Sequence, residues 1–324
     1  MIARWIAALS VALAWSAGAL AEEWPVRPIT MVIPFAAGGP TDVLGRIMAE
    51  RMSQTLGQQV VVENVGGAGG MTGAQRVAQA QPDGYQFVLG TVGTHAVNQT
   101  LYKRPLYDAA TDFLPVVLVA EVPLILVTRK DLPAKNLQEF IDYTKANQGK
   151  MNFGSAGNGS AVHLGCLLLN SAMGTNVQHV PYRGSAPAIT DLQSGRLDFM
   201  CDIVSTAAPQ VTGGALKALA TLAVTRSPVL PDLPTADEQG LKGFVAYTWN
   251  AFFLPKGAPD AIAKRLREAT LEAMSNPSVK QRLEGLGATL VSADRTTPDY
   301  LASFVKSEIQ RWAAPIKAGG VTID

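Results

Sequence analysis

The feature that most restricts the fold of this chain is an alternation that runs through it twice. A short apolar run stops at glycine or a small polar residue, and a stretch with helical spacing begins. Residues 29–35 (ITMVIPF) read as a buried strand that breaks at Ala37-Gly38-Gly39-Pro40. Val43, Leu44, Ile47, Met48, Met52 and Leu56 then recur at helical spacing, and Gly57 ends that helix. Residues 60–62 predict a second strand, the glycine-rich stretch 66–73 leads into a helix through Ala80, and residues 87–89 predict a third strand closing at Gly90-Thr91. Strand and helix in strict alternation are the mark of a parallel α/β sheet.

Residues 115–128 read as one long β segment, and a second α/β block follows. Helices are expected over 137–146, 160–173 and 185–194, and strands over 151–154, 177–182, 197–203 and 218–224. Residues 248–254 predict a strand leading out of this block, and helices near 259–274 and 298–312 close the chain. Those last helices have no sheet of their own. The economical arrangement is two α/β domains joined by two crossing strands. Lobe one then comprises residues 22–123 and 249–324, lobe two residues 124–248, and a cleft lies between them.

Bulk composition agrees with a globular chain. Of 324 residues, 48% are hydrophobic and 16% charged, and the net charge of +1 lacks the basic excess that nucleic-acid binding demands. The N-terminus reads as an export signal over residues 1–21: Arg4, an apolar stretch 6–15, and the small-x-small pattern Ala19-Leu20-Ala21 before Glu22. Cleavage is expected near Ala21, the alternative being an uncut anchor. Cys166 and Cys201 each sit in an apolar run. Buried thiols are expected, and an oxidising compartment leaves a disulfide open.

The loops after the strands carry the chemistry. Pro34-Phe35-Ala36-Ala37-Gly38-Gly39-Pro40-Thr41-Asp42 joins a strand to a helix start, where backbone N–H groups lack intrahelical partners and the helix dipole favours negative charge. Glycine lets an anion approach the backbone closely. Thr41 is expected to cap the helix or face a ligand, and Asp42 to cap amides. The same device recurs at Gly154-Ser155-Ala156-Gly157-Asn158-Gly159-Ser160, and again at Pro181-Tyr182-Arg183-Gly184-Ser185. Three such loops converge on one cleft if both sheets point their carboxyl edges inward. His95 and His163 either reach that cleft or pack. Arg46 and Arg183 are the nearest basic residues, but amides and hydroxyls suffice for the main anion contact.

Other chemistries lack their motifs. The sequence has no Gly-Lys-Ser/Thr phosphate loop, no G-x-G-x-x-G in register, no H-E-x-x-H and no G-x-S-x-G. Neither an enzyme nor a bound cofactor or metal is expected.

Taken together, these residues resemble the tripartite tricarboxylate transporter substrate-binding receptors, often called Bug proteins. The resemblance is carried by Trp24-Pro25-Val26-Arg27-Pro28-Ile29, the loop from Pro34 to Asp42, Val62-Glu63-Asn64 with its Gly-Gly-Ala-Gly-Gly sequel, and Pro82-Asp83-Gly84-Tyr85. To these add Gly154 to Ser160 with His163-Leu164, Val180-Pro181-Tyr182-Arg183-Gly184, and Gly195-Arg196-Leu197-Asp198. It implies a periplasmic-binding-protein-like, Venus-flytrap fold and a ligand bearing a carboxylate. Carried over position by position, it implies ligand contacts from Phe35, Ala37, Gly39, Thr41 and Asp42 in lobe one. In lobe two it implies Ser155, Asn158, Ser160 and His163, with Tyr182 and Gly184 beside them, and Asp202 reading the far end of the ligand. Ala36-Ala37 and Cys201 depart from the usual residues of the family and leave the distal contacts open. Thr91, Thr94, Trp249 and Phe252 are further candidates for that distal pocket. The expected role is that of a monomeric periplasmic receptor handing a small carboxylate to membrane components of a transporter; the alternative is a sensor feeding a signalling partner.

Overall fold

A computed structural model describes residues 24–318 and residue 322. The expected export segment and its cleavage pattern lie outside the described residues.

The first block runs β1 (Ile29–Ile33), α1 (Pro40–Leu56), β2 (Val60–Asn64), α2 (Met71–Ala78) and β3 (Gln86–Thr91). A π-turn at Gly93–Val97 then passes into the short helix α3 (Asn98–Leu101). β2, β1 and β3 pair in parallel, in that order. The helix α1 buries Leu44, Ile47, Met48, Met52 and Leu56 on one face and stops at Gly57, whose φ of 69° is the left-handed conformation that ends helices. Its N-cap is Gly39 with Pro40 as the first helical residue, so Thr41 stands one position inside the helix and does not cap it. Proline wins that place because its missing N–H costs nothing there.

β4 (Phe113–Arg129) is the strand on which the architecture turns. Its 17 residues span about 55 Å, well beyond an ordinary strand. From Phe113 to Pro123 it pairs antiparallel with β9 (Tyr247–Pro255), which in turn borders β3. From Leu124 to Arg129 it pairs instead with β7 (Phe199–Ile203) and β8 (Leu216–Thr221). One strand thus serves two sheets. The second sheet continues from β7 through β5 (Asn152–Ser155) to β6 (Gln178–Pro181), all parallel. Around it lie α4 (Leu137–Asn147), α5 (Ala161–Met173), α6 (Ser185–Gln193) and α7 (Val204–Thr212). At the crossing, the Leu124 amide donates to the Ala246 carbonyl at 3.1 Å, and the Ala246 amide to Leu222 at 2.7 Å. This ladder diverts the chain at Leu222, so β8 ends at Thr221 and not at residue 224.

After β9 come α8 (Asp260–Ser275), α9 (Pro277–Gly285), the two-residue β10 (Thr289–Leu290) and α10 (Pro298–Ala318). They return to the first sheet. Arg265 donates to the Thr55 carbonyl on α1 at 2.8 Å, and Glu308 of α10 accepts from the indole of Trp249 on β9 at 3.0 Å. The helices α7 and α9 and the strand β10 had no clear periodic signal. Cys166 and Cys201 are free, buried thiols. The Cys201 amide donates to the Cys166 sulfur at 2.9 Å, and burial pushes the Cys201 thiol up.

Candidate functional site

The loop after β1 is held from below by one carboxylate. Asp42 Oδ2 accepts from the Gly38 amide at 2.9 Å and from Arg46 Nε at 3.0 Å; Oδ1 accepts from Asn64 Nδ2 at 2.9 Å. Asn64 also donates to the Phe35 carbonyl at 3.0 Å. Burial opposes ionisation of Asp42, but the hydrogen bonds from Arg46, Gly38 and Asn64 outweigh it and hold the carboxyl below its usual range. Both oxygens are therefore spent on the protein, and Arg46 is paired. The loop they shape presents the first turn of α1, where the N–H groups of Thr41 and Asp42 have no intrahelical acceptor.

In the second lobe the loop between β5 and α5 is stapled in the same way. Ser155 is fully buried; its Oγ accepts from the Gly157 amide at 3.1 Å and lies 2.7 Å from His179 Nε2. The Gly159 amide donates to His163 Nδ1 at 3.2 Å, which makes that nitrogen an acceptor and places the neutral ring's proton on Nε2. The His163 and His179 rings stack at 4.0 Å over Phe153. Burial, with a smaller push from His179, brings the His163 pKa down to about 3; burial alone brings His179 to about 4. Both are neutral props beneath the loop. Ser160 caps α5, its Oγ accepting from the His163 amide at 3.3 Å, which leaves the N–H groups of Ala161 and Val162 without helical partners.

Under the third loop, Ser185 Oγ donates to Asp202 Oδ1 at 2.7 Å and Thr206 Oγ1 donates to Oδ2 at 2.9 Å. Burial raises the Asp202 pKa against these two hydroxyls. Asp202 stands behind Ser185 and positions it. Tyr182 turns its hydroxyl to Asp191 Oδ2 at 2.7 Å.

These three helix starts meet at one cavity. Of the residues singled out from the sequence, Phe35, Gly39, Thr41, Thr91, Ser160 and Gly184 line it. Asn158 and Tyr182, with Gly157 and Arg183, line a wider cleft of about 1890 Å³ that opens from it, the two sharing Phe35, Ala36 and Ala156. Ala37, Asp42, Ser155, His163 and Asp202 line neither; the last four brace the loops as described. His95 is buried in the first lobe, stacked on Phe253 at 3.9 Å, and Thr94 bonds its own turn. Trp249 and Phe252 are buried as well.

The sequence reading missed Ala36, Pro40, Ala156, Ala161, Val162, Ser185, Ile203 and Thr248, which complete the lining. Most of them flank residues already named. Ala161 and Val162 follow directly from Ser160 being a cap, since the first two helical residues then carry the free amides. Among the described residues, no charged side chain lines the cavity. An anion held there would be met by helix N-termini and hydroxyls alone.

Closeness across the cleft is set by glycines. A Cβ on Gly93 of the first lobe would lie 2.6 Å from the Gly159 carbonyl oxygen of the second, and one on Gly184 would meet the Ala36 methyl at 3.8 Å. The lobes touch here through backbone.

Residues 44–321 match the family model for the tripartite tricarboxylate transporter family receptor. A UPF0065 protein of Agrobacterium vitis is 42% identical over 322 residues, covering 99% of this chain and 92% of its own length. The periplasmic binding protein BugD superposes with a TM-score of 0.88 at 42% identity, over 92% of this chain and 99% of BugD. The MatC protein of Rhodopseudomonas palustris, solved with bound malate, superposes with a TM-score of 0.87 at 40% identity, over 90% of this chain and all of MatC.

Proposed function

Because the chain belongs to the tripartite tricarboxylate transporter receptor family, we propose that it is an exported receptor that closes its two lobes on a small carboxylate and hands it to a membrane transporter of that type. Recognition is by binding, with no turnover of the acid. The observation that carries the proposal is the meeting of the first turns of α1, α5 and α6 at one cavity without charged side chains.

The energetics favour a shared clamp over a single contact. Burying a carboxylate costs several kcal/mol. One helix N-terminus returns about 0.3–2 kcal/mol, and a hydrogen bond to a charged group about 1.5–3 kcal/mol. A single helix end therefore does not hold the ion, whereas three ends with their free amides and the hydroxyls of Thr41, Thr91 and Ser160 do. Since α1 belongs to one lobe and α5 and α6 to the other, the full set assembles only on closure. That is the differential affinity a ligand needs to shift an open–closed equilibrium. A transporter that recognises the closed form then receives only loaded receptor. Malate in the MatC structure supports a small carboxylate as the ligand.

Thermal-shift screening of the purified protein against aliphatic mono- and dicarboxylates, acidic amino acids and aromatic acids tests the proposal. At a hundredfold excess over Kd a ligand adds about 2.7 kcal/mol of apparent stability, a shift of several degrees. At least one acid should produce it, and its primary amide should not. Equal shifts from acid and amide would reject the anion clamp.

A further inference from the structure

The loop between β5 and α5 carries an Asn-Gly step, Asn158-Gly159, and nowhere else in the chain does a glycine follow an asparagine. Glycine has no Cβ to keep its nitrogen away from the preceding side chain. That nitrogen can therefore reach the asparagine Cγ and close a five-membered imide. Asn158 is half-buried at the wall of the wide cleft, and its side-chain amide has no hydrogen-bond partner among the described residues. It is free to turn toward the next residue.

Gly159 is held far more tightly. It is buried, and its N–H donates to His163 Nδ1 at 3.2 Å. Lobe one lies directly over it. A Cβ on Gly159 would run into Asn98 Oδ1 and stand 3.1 Å from Leu101 Cδ2. One on Gly69 would run into the Asn158 carbonyl oxygen, and Asn98 Nδ2 donates to the Gly69 carbonyl at 3.1 Å. In this closed arrangement the Gly159 N–H is shut off from water, and the loop has no space to turn. Asn98, Leu101 and Gly69 all belong to the other lobe, so opening takes this cover away.

We propose that Asn158 is a self-modification site guarded by lobe closure: in the open receptor its side chain cyclises onto Gly159 and becomes aspartate or isoaspartate, and the isoaspartate form no longer closes. Hydroxide removes the Gly159 N–H proton, and that nitrogen attacks Asn158 Cγ. The N–Cγ bond forms, the Cγ–Nδ2 bond breaks, and ammonia leaves with a proton from water, which restores the hydroxide. Water then opens the imide. Breaking the new N–Cγ bond gives aspartate; breaking the original peptide bond gives isoaspartate, whose main chain is one methylene longer. In sum an amide and water become a carboxylic acid and ammonia, with no change of oxidation state. The longer loop does not fit against Asn98 and Gly93, since a Cβ on Gly93 would already lie 2.6 Å from the Gly159 carbonyl oxygen. The rate follows the population of the open form, as chemistry at covered groups does. The modification is independent of what the receptor binds; its effect on affinity rests on the carboxylate-receptor reading above.

The test ages the purified protein at mildly alkaline pH and maps it by peptide mass spectrometry, with enzymatic isoaspartyl methylation to mark the rearranged product. Residue 158 of wild type should be converted. Gly93→Ala, which hinders closure, should convert at least about threefold faster. Asn170, which precedes Ser171 inside α5, should stay an amide in both proteins. The isoaspartate fraction should bind the acid that gives the largest thermal shift at least about tenfold more weakly than fresh protein. Asn158→Gln, whose longer side chain closes the ring poorly, should lose nothing on ageing against its own fresh sample. An intact Asn158 in aged wild type, the same rate in Gly93→Ala, or an isoaspartate fraction that binds like fresh protein would each overturn the proposal. So would conversion of Asn170 alongside Asn158, which would make unfolding the route. Fresh protein that binds no acid but is converted at residue 158 would sink the carboxylate reading and leave the modification site; fresh protein that binds an acid and keeps Asn158 on ageing would sink this proposal alone.

Discussion

The Gly38 amide donates to Asp42 Oδ2 at 2.9 Å, and this single bond ties the loop after β1 to the helix whose first turn forms part of the clamp. The same carboxylate holds Arg46 and Asn64, so it acts as a strut for the site with no free oxygen for an anion. Asp42→Ala should weaken carboxylate binding by about ten- to a hundredfold and lower stability by about 1–3 kcal/mol, the penalty for leaving buried donors unpaired. Titration calorimetry and denaturant melts check both figures. An unchanged Kd would mean that the loop holds its shape without the strut.

Gly93 offers a way to disturb closure without touching the cavity. Its φ lies outside the left-handed region, so alanine suits its backbone, yet a Cβ there would lie 2.6 Å from the Gly159 carbonyl oxygen in the other lobe. Its next neighbours are at 3.6 Å, ordinary contact. Gly93→Ala should therefore cut affinity at least about tenfold, since closure loses its differential contacts. The melting temperature without ligand should hardly move. A variant binding like wild type would show that the lobes need not approach this closely.

All three histidines are neutral, His95 and His163 buried and His179 half-buried, with pKa values brought by desolvation to about 3 for His95, about 3 for His163 and about 4 for His179. Each is depressed below the ordinary value of about 6.5. The unfolded chain takes up protons as pH falls through that value, whereas the folded protein takes them up only near pH 4 and 3. Stability from this source is complete above pH 6.5 and is lost as pH falls toward the folded values. Between pH 6.5 and 5 the melting temperature should drop, with proton uptake on unfolding approaching three. His179→Gln should remove about a third of that slope; an unaltered slope would contradict the buried stack.

Glu308 fastens the C-terminal helix to the crossing strand. Its Oε2 accepts from the indoles of Trp249 at 3.0 Å and Trp312 at 3.2 Å, and its Oε1 from Arg311 at 2.9 Å. Glu308→Ala leaves two buried N–H donors stranded and should cost about 3 kcal/mol. Glu308→Gln keeps an acceptor and should cost less. Equal losses in the two variants would indicate that packing, not hydrogen bonding, secures α10.

Much of this was legible in the sequence because glycine and capping residues mark strand ends and helix starts locally. The loops at 34–39, 154–160 and 181–184 stand where that chemistry places them, and three of them share one wall of space. What local pattern does not carry is the direction of each side chain. Ser155, His163, Asp202 and Asp42 stand among the ligand contacts that the family resemblance implies, yet each spends its polar atoms on its own loop or on the next element, Asp42 by capping a backbone amide as its place in the loop suggests. Thr41 yielded the cap to Gly39 because Pro40 fixed the helix start one residue earlier. Thr248 sits in an apolar strand far in sequence from the loops, and only the pairing of β9 with β3 and β4 brings it to the cavity.

The most direct test of the central claim is a crystal structure of the protein with a bound carboxylic acid identified by thermal shift. The account predicts one carboxylate in the inner cavity, within hydrogen-bond distance of main-chain N–H groups in the first turns of α1, α5 and α6 together. A carboxylate paired instead with Arg183 at the mouth of the cleft, with those first turns uncontacted, would contradict it.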